Sequence, residues 1–231
     1  MASGVLVVGP PGSGKTTALR NVDPKTTFVI NADKKNLPLR KWRSMYETVT
    51  DASGKVDMAK TNYYETDDPI QIAKLLEYIS SKRPEIKLVM LDTINHIMTS
   101  EFMKKAKAPG FQKFTDLALD IYNLLKIIPS LRSDLTIVVT GHNEVYFDAD
   151  GGKINKLRTI GKMLDEKVNI ESMFTTVLFT SVQPKDERNP YGFSTQTDGT
   201  NTAKSPMGMF ESLRIPNDYQ FILETISEYE K

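Results

Sequence analysis

Hydrophobic residues along the chain gather in short continuous runs separated by stretches of helical periodicity. Val5-Leu6-Val7-Val8 is rich in β-branched residues and has the form of a strand buried on both faces. Thr26-Thr27-Phe28-Val29-Ile30 repeats the pattern and ends at Asn31-Ala32-Asp33. Leu88-Val89-Met90-Leu91 ends at Asp92-Thr93, and Leu135 to Thr140 ends at Gly141-His142-Asn143. Thr175 to Thr180 is a fifth such run. Between the runs, Asp68-Pro69-Ile70-Gln71 supplies an N-cap, a proline at N1 and a glutamine at N3. Ile72, Leu75, Leu76 and Ile79 follow at helical spacing, which predicts a helix over 69–82. Phe114, Leu117, Ala118, Ile121, Leu125 and Ile128 mark another, Ala18-Leu19-Arg20 opens one after the first run, and a last is read over about residues 217–230.

Strands alternating with helices imply right-handed βαβ units and a mostly parallel twisted sheet with helices on both faces. The fold class is therefore α/β, and ligands are expected beyond the carboxyl ends of the strands. Residues 34–62 are polar, with turn signals at Leu37-Pro38 and Ser53-Gly54, and read as an excursion over the surface. Val145-Tyr146-Phe147 and Lys153 to Leu157 read as two short strands around the turn Asp148 to Gly152, and Tyr191 to Gln196 as an antiparallel piece. The sheet is thus expected to gain antiparallel strands toward the C-terminus. No linker or repeat divides residues 1–231, which read as one domain with a core of about residues 3–210.

Composition narrows the chemistry. The 231 residues contain no cysteine and two histidines, which removes disulfide frameworks and thiolate or zinc sites. Thirty Lys+Arg against twenty-nine Asp+Glu leave a net charge of +1, so no global field draws the protein to polyanions, and any such binding must come from local clusters. The longest apolar run is four residues, against about 20 for a membrane span, and the N-terminus carries no signal pattern. A protein with no membrane partner, in the cytoplasm, is expected.

The chemistry concentrates where strands end. Gly9-Pro10-Pro11-Gly12-Ser13-Gly14-Lys15-Thr16-Thr17 follows the first strand directly and fits G-x-x-x-x-G-K-T in the context the motif requires. Its glycines let backbone N–H groups point inward to cradle phosphate oxygens, and the helix that follows adds partial positive charge. Lys15 is expected at the β- and γ-phosphates and Thr16 on Mg²⁺. In P-loop ATPases an acid at the end of an apolar strand also holds this metal, which makes Asp92 the second metal candidate; its other available role is to cap the helix after it. Asp33 is placed to accept a hydrogen bond or proton from the attacking water, or is a turn carboxylate. His142 and Asn143 are placed to sense the γ-phosphate, or to provide polar groups where the strand leaves the sheet. His96 reads as a surface or partly buried histidine.

With these residues in place, the chain resembles the RecA-like core ATPases, and among them the small core-only phage recombination ATPases often filed as phage AAA-like nucleotide-binding proteins. The resemblance rests on the phosphate loop and on the strands ending at Asp33, Asp92 and His142. It implies an ATP- and Mg²⁺-dependent ATPase that oligomerises, as a ring or filament with ATP between subunits, on single-stranded DNA. It also implies a part in annealing or strand exchange, alongside phage recombination or single-strand-binding proteins, in the cytoplasm of a bacterial host. The family's glutamate corresponds to the shorter Asp33, and its glutamine sensor to His142. Lys204, in Thr202-Ala203-Lys204-Ser205-Pro206, lies where the family places a basic residue that reaches a neighbour's γ-phosphate.

Two segments offer cations interleaved with aromatics, as single strands require. Thr99 to Phe114 reads as a loop with Lys104, Lys105 and Lys107 near Phe102 and Phe111. The segment after His142 carries Tyr146, Phe147, Lys153, Lys156 and Arg158. Taken alone, the same lysines are a common way to keep a surface solvated. Lys34, Lys35, Arg40, Lys41 and Arg43 surround Trp42 as a further basic cluster. A nucleotide-gated adaptor or packaging accessory and a P-loop kinase are the alternative readings. There is no arginine-rich lid and no Asn-Lys-x-Asp guanine-reading motif.

Overall fold

The computed structural model describes residues 1–106, 112–147, 151–185 and 190–231. Ten strands are described: β1 Ser3–Val8, β2 Thr27–Asn31, β3 Tyr63–Tyr64, β4 Leu88–Asp92, β5 Thr136–Gly141, β6 Asn143–Phe147, β7 Lys153–Leu157, β8 Thr176–Val182, β9 Tyr191–Ser194 and β10 Arg214–Pro216. Four α-helices accompany them: α1 Pro69–Lys82, α2 Ile94–Lys104, α3 Gln112–Lys126 and α4 Tyr219–Tyr229. Eight strands form one sheet in the order β10-β9-β8-β1-β5-β4-β2-β3, and β6 and β7 form a separate antiparallel ribbon. From β8 to β3 all pairings are parallel, while β9 and β10 join antiparallel. This is the mixed α/β sheet expected from the alternation of runs and helices.

The central strands are buried on both faces because alternate residues feed two different cores. Leu6, Val8, Val89, Leu91, Ile137 and Val139 belong to the core under α1, α2 and α3. Val5, Val7, Met90 and Val138 point the other way, toward Leu19, Tyr46 and the α4 residues Tyr219, Ile222 and Ile226. Each such fully buried aliphatic contributes about 1.5–3 kcal/mol. The capping signal reads out as expected: the Asp68 carboxylate accepts from the Ile70 and Gln71 N–H groups at 2.8 and 3.2 Å and starts α1.

Two local expectations change. The segment from Thr99 is not a loop, because Ile94, Ile97, Met98 and Glu101 form one buried stripe that carries α2 through Lys104. Lys107 and Phe111 lie outside the described residues. The helix opening at Ala18 is a single 3-10 piece, Thr16–Asn21, ended by Val22 in extended conformation ahead of Asp23-Pro24. Helix α4 covers the sheet face that this short piece leaves bare. A π-helical turn at Met163–Val168, a 3-10 turn at Ile170–Met173 and strand β10 add elements beyond those the periodicity marks. No helix among the described residues is long and apolar enough to cross a membrane.

Candidate functional site

The phosphate loop begins where β1 is most enclosed. The Gly9 N–H donates to Gly141 O at 3.0 Å, and a Cβ on Gly9 would stand 1.8 Å from Thr180 Oγ1, so only glycine lets the chain pass between β5 and β8. Gly12 and Gly14 then take φ values of +76° and +94°, the left-handed conformations that fold the loop back on itself. Lys15 is only 6% exposed. Its ammonium spans the mouth of the loop, donating to Gly9 O at 2.7 Å and Pro10 O at 2.9 Å. Burial pulls its pKa down to about 8, against the pull of Asp92 and Asp33, which favour the charged form.

Register brings the acids to the same edge. Asn31 at the end of β2 pairs with Asp92 at the end of β4, and β5 lies between β4 and the phosphate-loop strand. Asp92 is 8% exposed and fully engaged: Oδ2 accepts from Thr16 Oγ1 at 2.7 Å, and Oδ1 accepts from Thr140 Oγ1. Burial raises its pKa, the two threonine bonds and Lys15 oppose that rise, and Asp33 adds to it. The capping role open to Asp92 is filled by Thr93, whose side chain accepts from the His96 N–H. Asp92 is thereby left to the cleft. A threonine hydroxyl and a carboxylate converging in this way are the protein's share of a Mg²⁺ site, since the ion keeps waters and substrate oxygens as its other ligands. No cluster of three or more acidic or imidazole groups offers a different metal site among the described residues.

Asp33 is held between Lys35 Nζ at 3.2 Å and His96 Nδ1 at 3.4 Å. Buried Asn31 shapes its turn, accepting from the Lys34 N–H at 3.1 Å and donating to Lys35 O and to Tyr63 Oη, both at 2.6 Å. His142 donates its backbone N–H to Asn95 Oδ1 at 2.6 Å. Burial first, then nearby Lys15, lowers its imidazole pKa from 6.5, so the ring is neutral at pH 7. Asn143 is not at the cleft: its amide donates to Asn155 Oδ1 at 2.8 Å within the ribbon.

A cleft of about 330 Å³ gathers these groups. Pro11, Gly12, Gly14, Lys15, Thr16 and Thr17 of the loop line it together with Asp33, Asp92 and His142. Gly9, Pro10 and Ser13 stand behind it, the first two as acceptors for Lys15 and Ser13 through its Oγ bond to Pro10 O at 2.7 Å. A recess of about 380 Å³, lined by Leu125, Ile128, Phe174 and Met209, holds none of these groups. A smaller cleft of about 190 Å³ shares Asp33 and His142 and adds His96, Asn95 and Arg158.

Lys204 stands apart: its backbone exchanges hydrogen bonds of 2.8 and 2.9 Å with Val177 in the first half of β8, and it does not line the cleft. The candidate nucleic-acid lysines divide. Lys104 donates to Glu101 at 2.6 Å, and Lys105 is bound by Asp120 and by Glu101 at 3.6 Å. In the ribbon, Lys153 Nζ lies 6.0 Å from the Phe147 ring centroid and Lys156 Nζ 4.9 Å from that of Tyr146. Phe147 is 68% exposed. Arg158 follows β7, where its N–H donates to His142 O at 2.8 Å and its carbonyl accepts from Asn95 Nδ2 at 2.7 Å.

Thr140 and Asn95 belong to the site although nothing local in the sequence marks them. Thr140 carried a signal only in its place, one strand residue before Gly141-His142. A family model described as an AAA domain matches residues 2–207 of the chain. No curated protein matches it.

Proposed function

The chain belongs to the AAA domain family, one of nucleotide-binding P-loop ATPases, and on that premise we propose that it binds ATP with Mg²⁺, hydrolyses it, and assembles on single-stranded DNA. The observation that carries the nucleotide half is the convergence of Lys15, Thr16, Asp33, Asp92 and His142 on one cleft around the glycine loop. Loop N–H groups and the Lys15 ammonium would hold the terminal phosphates, and the burial of Lys15 makes its interactions stronger than in bulk solvent. Thr16 and Asp92 would hold Mg²⁺, which when bound neutralises charge on the β- and γ-phosphates. Asp33 would orient the water and take its proton, with His96 fixing the carboxylate through Oδ1. His142, neutral at pH 7, would meet the γ-phosphate.

The DNA half is supported by the ribbon β6–β7, where two lysines lie over aromatic rings and Phe147 faces solvent. On this reading the protein acts in phage recombination by annealing or strand exchange, as a ring or filament in which Lys204 serves a neighbouring copy's nucleotide. A second reading, a nucleotide-gated adaptor, draws on Asp33: it is a short acid already engaged by Lys35 and His96, an arrangement suited to slow turnover. Measuring ATP hydrolysis with and without single-stranded DNA separates the two. Turnover raised severalfold by DNA supports the recombination reading. Tight ATP binding with slow turnover indifferent to DNA supports the adaptor, and no ATP binding at all defeats both.

A further inference from the structure

The phosphate loop receives a contact from the far end of the chain. Asn217 sits between β10 and α4, outside the 2–207 stretch that matches the family, and is 2% exposed. Its Nδ2 donates to Gly14 O at 3.1 Å, and its Oδ1 accepts from Arg20 Nη1 at 3.2 Å. Chemistry fixes the orientation of this amide, because a carbonyl can only accept and a guanidinium can only donate. Arg20 also donates to Asn217 O, and the next residue, Asp218, accepts from Asn21 Nδ2 at 2.6 Å while capping α4. Asn217 packs against Gly14 so closely that a Cβ there would come within 3.0 Å of its amide.

We infer that Asn217 is a positioning residue for the nucleotide, acting through the Gly14–Lys15 peptide; this rests on the ATP-binding reading above. Gly14 O also accepts from the Ala18 N–H at 3.1 Å, so two donors fix that carbonyl from the side opposite the cleft. A peptide whose carbonyl is held this way presents its other end, the Lys15 N–H, at a set angle toward the phosphates, and the donated bonds polarise that N–H further. Six residues of 3-10 helix after the loop provide little rigidity of their own. The Asn217 amide supplies it from outside the motif.

The test uses the full chain with Asn217→Ala and Asn217→Asp, reading Mg-ATP and Mg-ADP affinity beside thermal stability. Asn217→Asp keeps the acceptor for Arg20 and loses the donor to Gly14, setting a carboxylate beside that carbonyl. If Asn217 only holds the fold, Asp outperforms Ala in both readouts. On the inference the orders cross. Asn217→Asp melts closer to wild type than Asn217→Ala, yet it binds ATP and ADP more weakly, the alanine losing about tenfold, as expected for one hydrogen bond to a charged ligand's cradle. Should Asn217→Ala fail to fold, Asn217→Asp alone decides: more than about tenfold loss of affinity in a folded protein supports the inference. A wild type that binds ATP while both variants bind it within twofold overturns the inference and leaves the functional reading standing. A wild type that binds no nucleotide defeats both.

Discussion

The nucleotide cleft and the β6–β7 ribbon meet at His142 and are built on opposite terms. In the cleft, Lys15 and Asp92 are almost fully enclosed; the Lys15 ammonium is held by carbonyls of its own loop, and the Asp92 carboxylate by hydroxyls from the phosphate loop and from β5. On the ribbon the cations lie over aromatic rings, Lys153 over exposed Phe147 and Lys156 over half-buried Tyr146, and among the described residues neither lysine enters an ion pair. Enclosed charge is positioned in advance and titrates abnormally; exposed charge remains adaptable and is screened by salt. A ligand of fixed shape suits the first arrangement, and a polymer of many shapes the second. The lysines at the end of α2 belong to neither, since Glu101 and Asp120 already neutralise them.

The sharpest way to break this comparison is Lys15→Ala. Removing the cleft's enclosed cation is expected to weaken ATP binding by about a hundredfold or more and abolish turnover, with DNA binding measured in the absence of nucleotide nearly unchanged. Next comes the double variant Lys153→Glu/Lys156→Glu. Filter binding to single-stranded DNA is expected to fall by about thirtyfold at low salt, and the slope of log K against log salt to shrink by about 1.4 for two lost phosphate contacts. ATP affinity should hold, and a drop in it would mean that the ribbon and the cleft are one site.

Smaller still is a pH effect peculiar to the enclosed side. Phosphate binding needs the charged ammonium, and the free protein loses that proton above about pH 8. Nucleotide affinity should therefore fall by about tenfold between pH 7 and pH 9. A titration that stays flat to pH 10 would show that Lys15 is not desolvated. The least effect is expected from Lys104→Gln/Lys105→Gln, under about threefold on DNA affinity, because these charges are already compensated and the amides still donate to Glu101. A loss as large as that of the ribbon variant would return α2 to the nucleic-acid surface.

What the sequence revealed follows the range of the interactions involved. The phosphate loop, the strand ends at Asp33 and Asp92 and the cap at Asp68 are written in contiguous residues, and each stands in the structure where its spacing placed it. Helix α2 was harder to see beyond Thr99, because its buried stripe includes Glu101, a charged residue whose burial depends on Lys104 and Lys105. The helix after the loop stops after one 3-10 piece, and α4, which follows the Asn217 contact 203 residues on from Gly14, packs on the same sheet face. Thr140 and Asn95 were missed for a similar reason. Their partners, Asp92, His142 and Arg158, are near only after the sheet has formed.

The sheet order also sets a timetable. Strand β1, with the phosphate loop at its end, is flanked by β5 and β8, so Ser3 pairs with Thr136 and Val5 with Thr176. During synthesis β1 is thus made well before either of its neighbours, and both its hydrogen-bonding edges stay open meanwhile. Pairings this distant in sequence slow folding and lengthen the exposure of bare strand edges. The nucleotide cradle is completed by the Asn217 contact, after the whole central sheet has been made. Competence to hold nucleotide then reports on the last steps of assembly.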